Sequence, residues 1–380
     1  MPLIAAGAIV LDGRVCRPGW LQTSGHRILD CGPGAPPRQA DTDLPDFVVV
    51  PGFIDMHVHG GGGAWYTDAD GIDRAAGFHR RHGTTATLAS LVTAAPGVLI
   101  AWVRVLAEST RRGVIAGVHL EGPWLSPQYC GAHDRRQLRD PDGAEIDALL
   151  SAADGAIRMV TLAPERPGAI DAIKRFTGAG VVVAVGHTDA SYDQVQAAID
   201  AGARVGTHLF NAMRGVHQRE PGPVLALLQD PRVAVELIAD GVHVHPALIR
   251  HVIDVAGPDR VALITDAMCA AGCGDGSFRL GDLDVDVVSG VARLRGTSTI
   301  AGGTATTDRL FATAVSLLGP DTDEALAGAV RLTSATPART LGLDHVGSLR
   351  PGYDADLVVL NQDLQVTRVM SRGEWDEGEK

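Results

Sequence analysis

The stretch Phe53-Ile-Asp-Met-His-Val-His-Gly60 sets two imidazoles one residue apart at the end of an apolar run. In a strand, residues i and i+2 share a face, so His57 and His59 point the same way, with Asp55 in line with them. Two imidazoles so placed can chelate a divalent ion. Downstream, single polar residues close other apolar runs: Glu121 after VIAGVHL, His187 after VVVAVG, His208 after RVGT and Asp266 after VALIT. Imidazoles and carboxylates suit zinc, iron or manganese, and their recurrence at one position of run after run favours a metal centre over scattered core histidines or helix caps. His119 shares a face with Glu121, where it either orients a ligand or packs in the core. His243-Val-His245 repeats the His-x-His spacing, but it follows Ala239-Asp-Gly241, where a strand has ended and the pleat no longer sets direction.

These residues need elements to bring them together. Short runs rich in Val, Ile, Leu and Ala fall at about 48–59, 84–90, 114–121, 157–163, 181–187, 204–209, 233–240 and 260–266. Between them, 72–82, 96–112, 191–201 and 246–256 carry apolar residues at helical spacing. Eight βα units predict an α/β chain with a closed TIM-like (β/α)8 barrel, a fold of about 250 residues whose chemistry sits at the carboxyl ends of its strands. Residues 50–346 are expected to form it. Residues 1–49 and 347–380, with their short strand-like pieces, are expected to pair as a small β-sandwich domain. The insert FRLGDLDVDVVSGVARLRG reads as hairpins turning at Gly281 and Gly290.

Composition narrows the function. The 380 residues carry a formal net charge of −12 with no basic run, which argues against nucleic acid as a partner. Five scattered cysteines form no Cys-x-x-Cys pair, so neither a disulfide framework nor a thiolate zinc site is expected. The first residues lack a basic leader and no apolar run is long enough to span a bilayer, so a soluble, cytoplasmic protein without membrane partners is expected. Lysine occurs only at Lys174 and Lys380.

PGFIDMHVHG, HLEGPW, GHTDA, THLFNAM, the REPG at 219–222, ADGVH and LITDA, in that order, resemble the amidohydrolase superfamily and, within it, the N-acetylglucosamine-6-phosphate deacetylase family, over nearly the whole chain. The resemblance implies that Glu121, His187 and His208 hold one divalent ion and that His57, His59 and Asp266 help hold a second, with Glu121 shared. One or two ions per chain are thus implied, zinc first, with iron, manganese or cobalt as alternatives. Many superfamily relatives bridge their metals with a carboxylated lysine on strand four. Strand four here reads IRMVTLAPE, and Lys174 falls in the helix expected after it, so that bridge is excluded.

The implied reaction is hydrolysis of N-acetylglucosamine 6-phosphate to glucosamine 6-phosphate and acetate. A metal pulls the pKa of its bound water towards about 7, and Asp266 is placed to pass the water's proton to the departing amine. By the same resemblance His133 polarises the acetyl carbonyl, Arg219 binds the phosphate with a planar fork, and His243 with Asn211 and Ala212 contacts the sugar phosphate. A homodimer is implied as well. The galactosamine epimer, or another N-acyl or cyclic amide, is the competing substrate. Around 300–307, IAGGTATT is more polar than the family pattern, which bears on substrate preference rather than on the reaction.

Overall fold

The structure, a computed structural model, describes residues 1–319 and 322–376. Lys380 and the last residues of the expected β domain lie outside the described residues. Eight strands lie in chain order in one sheet: Phe53–Val58, Thr84–Leu91, Gly117–Glu121, Ile157–Leu162, Val182–Val185, Val205–Gly206, Ala234–Leu237 and Val261–Leu263. The ladders from the second strand to the eighth are all parallel. Their Val, Leu and Ala runs are buried on both faces, as a parallel sheet covered by helices requires. The ring is completed just past the last strand, where the Asp266 amide donates to the His57 carbonyl at 2.9 Å and the His59 amide to the Ala267 carbonyl at 2.8 Å. The (β/α)8 barrel expected from the sequence is therefore present.

Helices Ile72–Arg81, Pro96–Arg111, Tyr192–Ala201 and Pro246–Ala256 occupy the segments with helical spacing. Pro96 and Pro246 open their helices, where a missing N–H costs nothing. Ser191 and Gln194 close a reciprocal capping box. Lys174 is exposed in helix Ala169–Gly178, consistent with a barrel that has no lysine bridge. Among the described residues no helix is long and apolar enough to cross a membrane.

Two expectations change. The run at 48–59 is two strands: Thr42–Pro51 pairs with Leu3–Leu11 and Leu357–Leu360, and the barrel strand begins only at Phe53. The break falls at Gly52, where a Cβ would sit 2.1 Å from Thr85 Oγ1, so only a glycine lets the backbone pass. The strands expected at 181–187, 204–209, 233–240 and 260–266 stop early, at Val185, Gly206, Leu237 and Leu263, and beyond three of them His187, His208 and Asp266 take left-handed backbone angles, φ +47°, +28° and +47°.

By Cα proximity the chain forms two compact units. One comprises the described parts of Met1–Asp55, Gly77–Ala86 and Thr306–Lys380, and the other Met56–Ala76 with Thr87–Ala305. In the first, the two chain ends pair into an eight-stranded sheet around a core that includes Ile4, Ile9, Leu21, Leu357 and Met370. In the second, strands Gly276–Leu280, Leu283–Val288 and Val291–Leu294 form the expected antiparallel insert. Its inner face packs on Met268, Cys269 and Ala301.

Candidate metal centre and substrate cavity

His57, His59, Glu121, His187, His208 and Asp266 come from five different strand ends and meet around one carboxylate. Glu121 Oε1 lies 2.9 Å from His187 Nε2, 3.1 Å from His208 Nε2 and 3.3 Å from His57 Nε2. Its Oε2 lies 3.2 Å from His59 Nε2 and 3.3 Å from His133 Nε2. Asp266 Oδ1 stands 3.2 Å from His59 Nε2 and 3.5 Å from His57 Nε2. His57, His59 and Asp266 form one cluster with ligand atoms within 4.8 Å of one another, and Glu121, His133 and His187 another. Each oxygen of Glu121 thus touches imidazoles of both clusters, so this one carboxylate could serve either half of the centre.

Backbone strain accompanies this convergence. His187, His208, Phe210, Ala212 and Asp266 all have left-handed φ, a conformation that costs a non-glycine residue about 1–3 kcal/mol and persists only where surroundings enforce it. Here the Thr188 amide is tied to the Ala212 carbonyl at 3.1 Å and the Leu209 amide to the Glu236 carbonyl at 2.9 Å.

Partners on the outer nitrogens fix the histidine tautomers. His59 Nδ1 lies 3.1 Å from the Ser90 carbonyl oxygen, His187 Nδ1 3.0 Å from that of Tyr129, and His57 Nδ1 3.1 Å from Glu236 Oε2. These oxygens only accept, so each Nδ1 carries a proton and Nε2 is the nitrogen left to face the site and to bind an ion once its own proton is lost. His187 Nε2 and His208 Nε2 face each other at 3.1 Å, a spacing that calls for a proton or a cation between them. This donor set fits divalent metal. His133 differs: the Thr93 amide donates to its Nδ1 at 3.2 Å, so its proton sits on Nε2 and points into the site as a donor. Proximity alone groups it with the ligands, but its tautomer suits polarising a carbonyl.

Charge follows the same geometry. Burial alone would lower His57 and His59, but Glu121 and Asp266 outweigh it, holding His57 well above its ordinary value and His59 at about 9 in the ion-free protein. Burial would raise Asp266, yet His57 and His59 hold it at about 2. His119 is a core residue: its nitrogens meet Ser90 Oγ at 2.9 Å and Thr161 Oγ1 at 2.8 Å, and its ring meets His57 edge-on at 4.5 Å. Burial and the nearby His57 keep it well below its usual value. Glu236 escaped the sequence reading, although a charge inside the apolar run AVEL was a usable signal.

A cavity of about 420 Å³ adjoins this centre, with His59, Glu121, His187, His208 and Asp266 in its lining. His133, Asn211, Ala212 and His243 also line it. His243 Nδ1 meets Asp240 Oδ2 at 2.7 Å; burial opposes a charge on the ring, but Asp240 prevails and raises its pKa. His245 instead accepts from the Ala247 amide and caps a helix, so the second His-x-His is no chelate. Arg219 is exposed and is not among the residues lining this cavity. Of the 300–307 loop, Ile300, Ala301 and Gly302 border the cavity, while Thr304 turns away to the Gly290 carbonyl.

A family model described as "Amidohydrolase family" matches residues 48–375. The N-acetylgalactosamine-6-phosphate deacetylase of Escherichia coli O157:H7 is 38% identical, over 94% of this chain and 95% of the relative. The N-acetylglucosamine-6-phosphate deacetylase of Vibrio furnissii is 38% identical, over 88% of this chain and 85% of the relative. A variant of the N-acetyl-D-glucosamine-6-phosphate deacetylase of Mycobacterium smegmatis, solved in complex with N-acetyl-D-glucosamine-6-phosphate, is 54% identical with a TM-score of 0.97, over 98% of each chain.

Proposed function

The chain belongs to the amidohydrolase family, and from that premise we propose that it hydrolyses N-acetyl-D-glucosamine 6-phosphate to D-glucosamine 6-phosphate and acetate. The observation that carries this is the convergence of five imidazoles on Glu121, with Asp266 beside His57 and His59, at a sugar-sized cavity that Glu121 and Asp266 help line. His57, His59 and Asp266 would hold one divalent ion and Glu121, His187 and His208 another, zinc in the first instance, supplying a Lewis acid and a water acidified towards about pH 7. Asp266, a carboxylate at neutral pH, takes the proton of the attacking water as its oxygen bonds to the acetyl carbon. It then delivers that proton to the sugar nitrogen as the C–N bond breaks, since an amine leaves badly unless protonated. The His133 Nε2–H donates to the carbonyl oxygen as charge develops there.

The sugar phosphate lies towards Asn211, Ala212 and His243, whose raised pKa favours an anion. Arg219, exposed and outside the lining of its own cavity, meets the phosphate of a second copy in a homodimer. The barrel, from Phe53 onward, serves as the catalytic part, and the sheet formed by the two chain ends, which takes in Thr42–Pro51, as the β domain. The five cysteines are free, which accords with work in the cytoplasm. Incubation with the sugar phosphate should yield acetate and free amine in equal amounts, and chelation of the metal should abolish both. Turnover that persists in thoroughly chelated protein, or amine without acetate, would contradict the proposal.

A further inference from the structure

Strand Ala234–Leu237 carries a glutamate among apolar residues, and Glu236 is fully buried. No step of the chemistry above uses it. Burying a carboxylate costs several kcal/mol unless its partners compensate, so its presence calls for a cause. Its Oε2 meets His57 Nδ1 at 3.1 Å and accepts from the His208 main-chain amide at 3.2 Å. The other oxygen, Oε1, has no hydrogen-bond partner among the described protein atoms. One buried oxygen therefore grips both halves of the centre: the ring of His57 in one cluster, and the strained turn that carries His208 towards the other.

We infer that Glu236 is a positioning residue that makes the His57, His59 and Asp266 cluster competent to hold an ion. The inference rests on the metal-dependent function proposed above. A carboxylate accepts but does not donate, so it locks a His57 proton on Nδ1 and leaves Nε2 to face Glu121 and Asp266. Its bond to the His208 amide holds that residue at φ +28° and so fixes the spacing of the two half-sites. His59 has an independent anchor in the Ser90 carbonyl, and His187 in that of Tyr129. Loss of Glu236 should therefore fall on one ion more than on the other.

The test compares wild type, Glu236→Gln and Glu236→Leu, each dialysed against buffered free zinc. Ions per chain are counted by elemental analysis, affinities come from competition with a chromophoric chelator, and circular dichroism melting confirms folding. Wild type should hold two ions. The leucine variant should keep one and bind the second about 10–100-fold more weakly. Glutamine retains an accepting oxygen but no charge, so its second ion should weaken by roughly threefold to tenfold and the first by less, through the His208 amide. Unaltered affinity for the second ion in either folded variant overturns the role of Glu236. Equal weakening of both ions overturns it too, because that marks a general structural defect. A wild-type protein that takes up no zinc contradicts the metal-dependent function itself.

Discussion

At the scale of single residues, the donors and acceptors behind each histidine matter more than the histidines alone. Acceptors behind His57, His59 and His187 keep a proton on Nδ1 and leave Nε2 to bind an ion, whereas the donor behind His133 turns its N–H inward. Asp266→Asn keeps an oxygen for the ion but cannot take a proton, so it should retain metal while kcat falls about 10²–10⁴-fold. Near-normal turnover of that variant would remove Asp266 from the reaction. In ion-free protein His59 sits at about 9, so at pH 7 it is protonated and metal must displace that proton. Metal uptake at pH 7 should release protons, and affinity should climb as pH rises towards 9; calorimetry in two buffers of different ionisation heat measures this. Because the folded value lies above the ordinary 6.5, the charged ring stabilises the ion-free fold below pH 6.5, and that stabilisation is lost as pH rises through 9. The ligand types were legible in the sequence because each closes an apolar run. The proton position on His133 was not, since it depends on Thr93, forty residues away in the chain.

At the scale of elements, the barrel places the ligands and the loops after its strands hold them. Gly303 shows how tightly: its amide donates to the Asp266 carbonyl at 2.6 Å, and a Cβ there would sit 2.2 Å from the Thr265 carbonyl oxygen. Gly303→Ala should cost about 1–3 kcal/mol of stability and lower kcat by shifting Asp266, read by thermal melting and steady-state kinetics. By contrast Ser191→Ala removes a helix cap outside the cavity lining and should cost about 1 kcal/mol with kcat/KM unchanged. If both variants lost activity equally, the loop would have no special hold on the site. All eight barrel strands and the insert at Gly281 and Gly290 were visible as apolar runs and turn glycines. The Pro51-Gly52 pair was a turn signal for the split, outweighed by the apolar residues on either side of it; the close approach of Thr85 explains why the boundary needs a glycine. The early ends of the strands before His187, His208 and Asp266 were hidden because left-handed backbone at these residues leaves no trace in composition.

At the scale of the whole molecule, a chain of net charge −12 is proposed to bind a dianion, so attraction must be local. In the proposed function His243 supplies part of it within the cavity, and Arg219 the rest from a second copy. Arg219→Ala should raise KM for the phosphorylated sugar at least tenfold, leave kcat within a few-fold, and leave metal content intact. The match over 98% of both chains at a TM-score of 0.97 to a deacetylase solved with the phosphorylated sugar makes the substrate the sharpest point to test. The decisive measurement is acetate release, as kcat/KM, from N-acetylglucosamine 6-phosphate, its galactosamine epimer and unphosphorylated N-acetylglucosamine, on one sample of known metal content. The first is expected to exceed the epimer clearly and the unphosphorylated sugar by orders of magnitude. Equal rates with and without the phosphate, or no acetate from fully metallated protein, would contradict the proposed function.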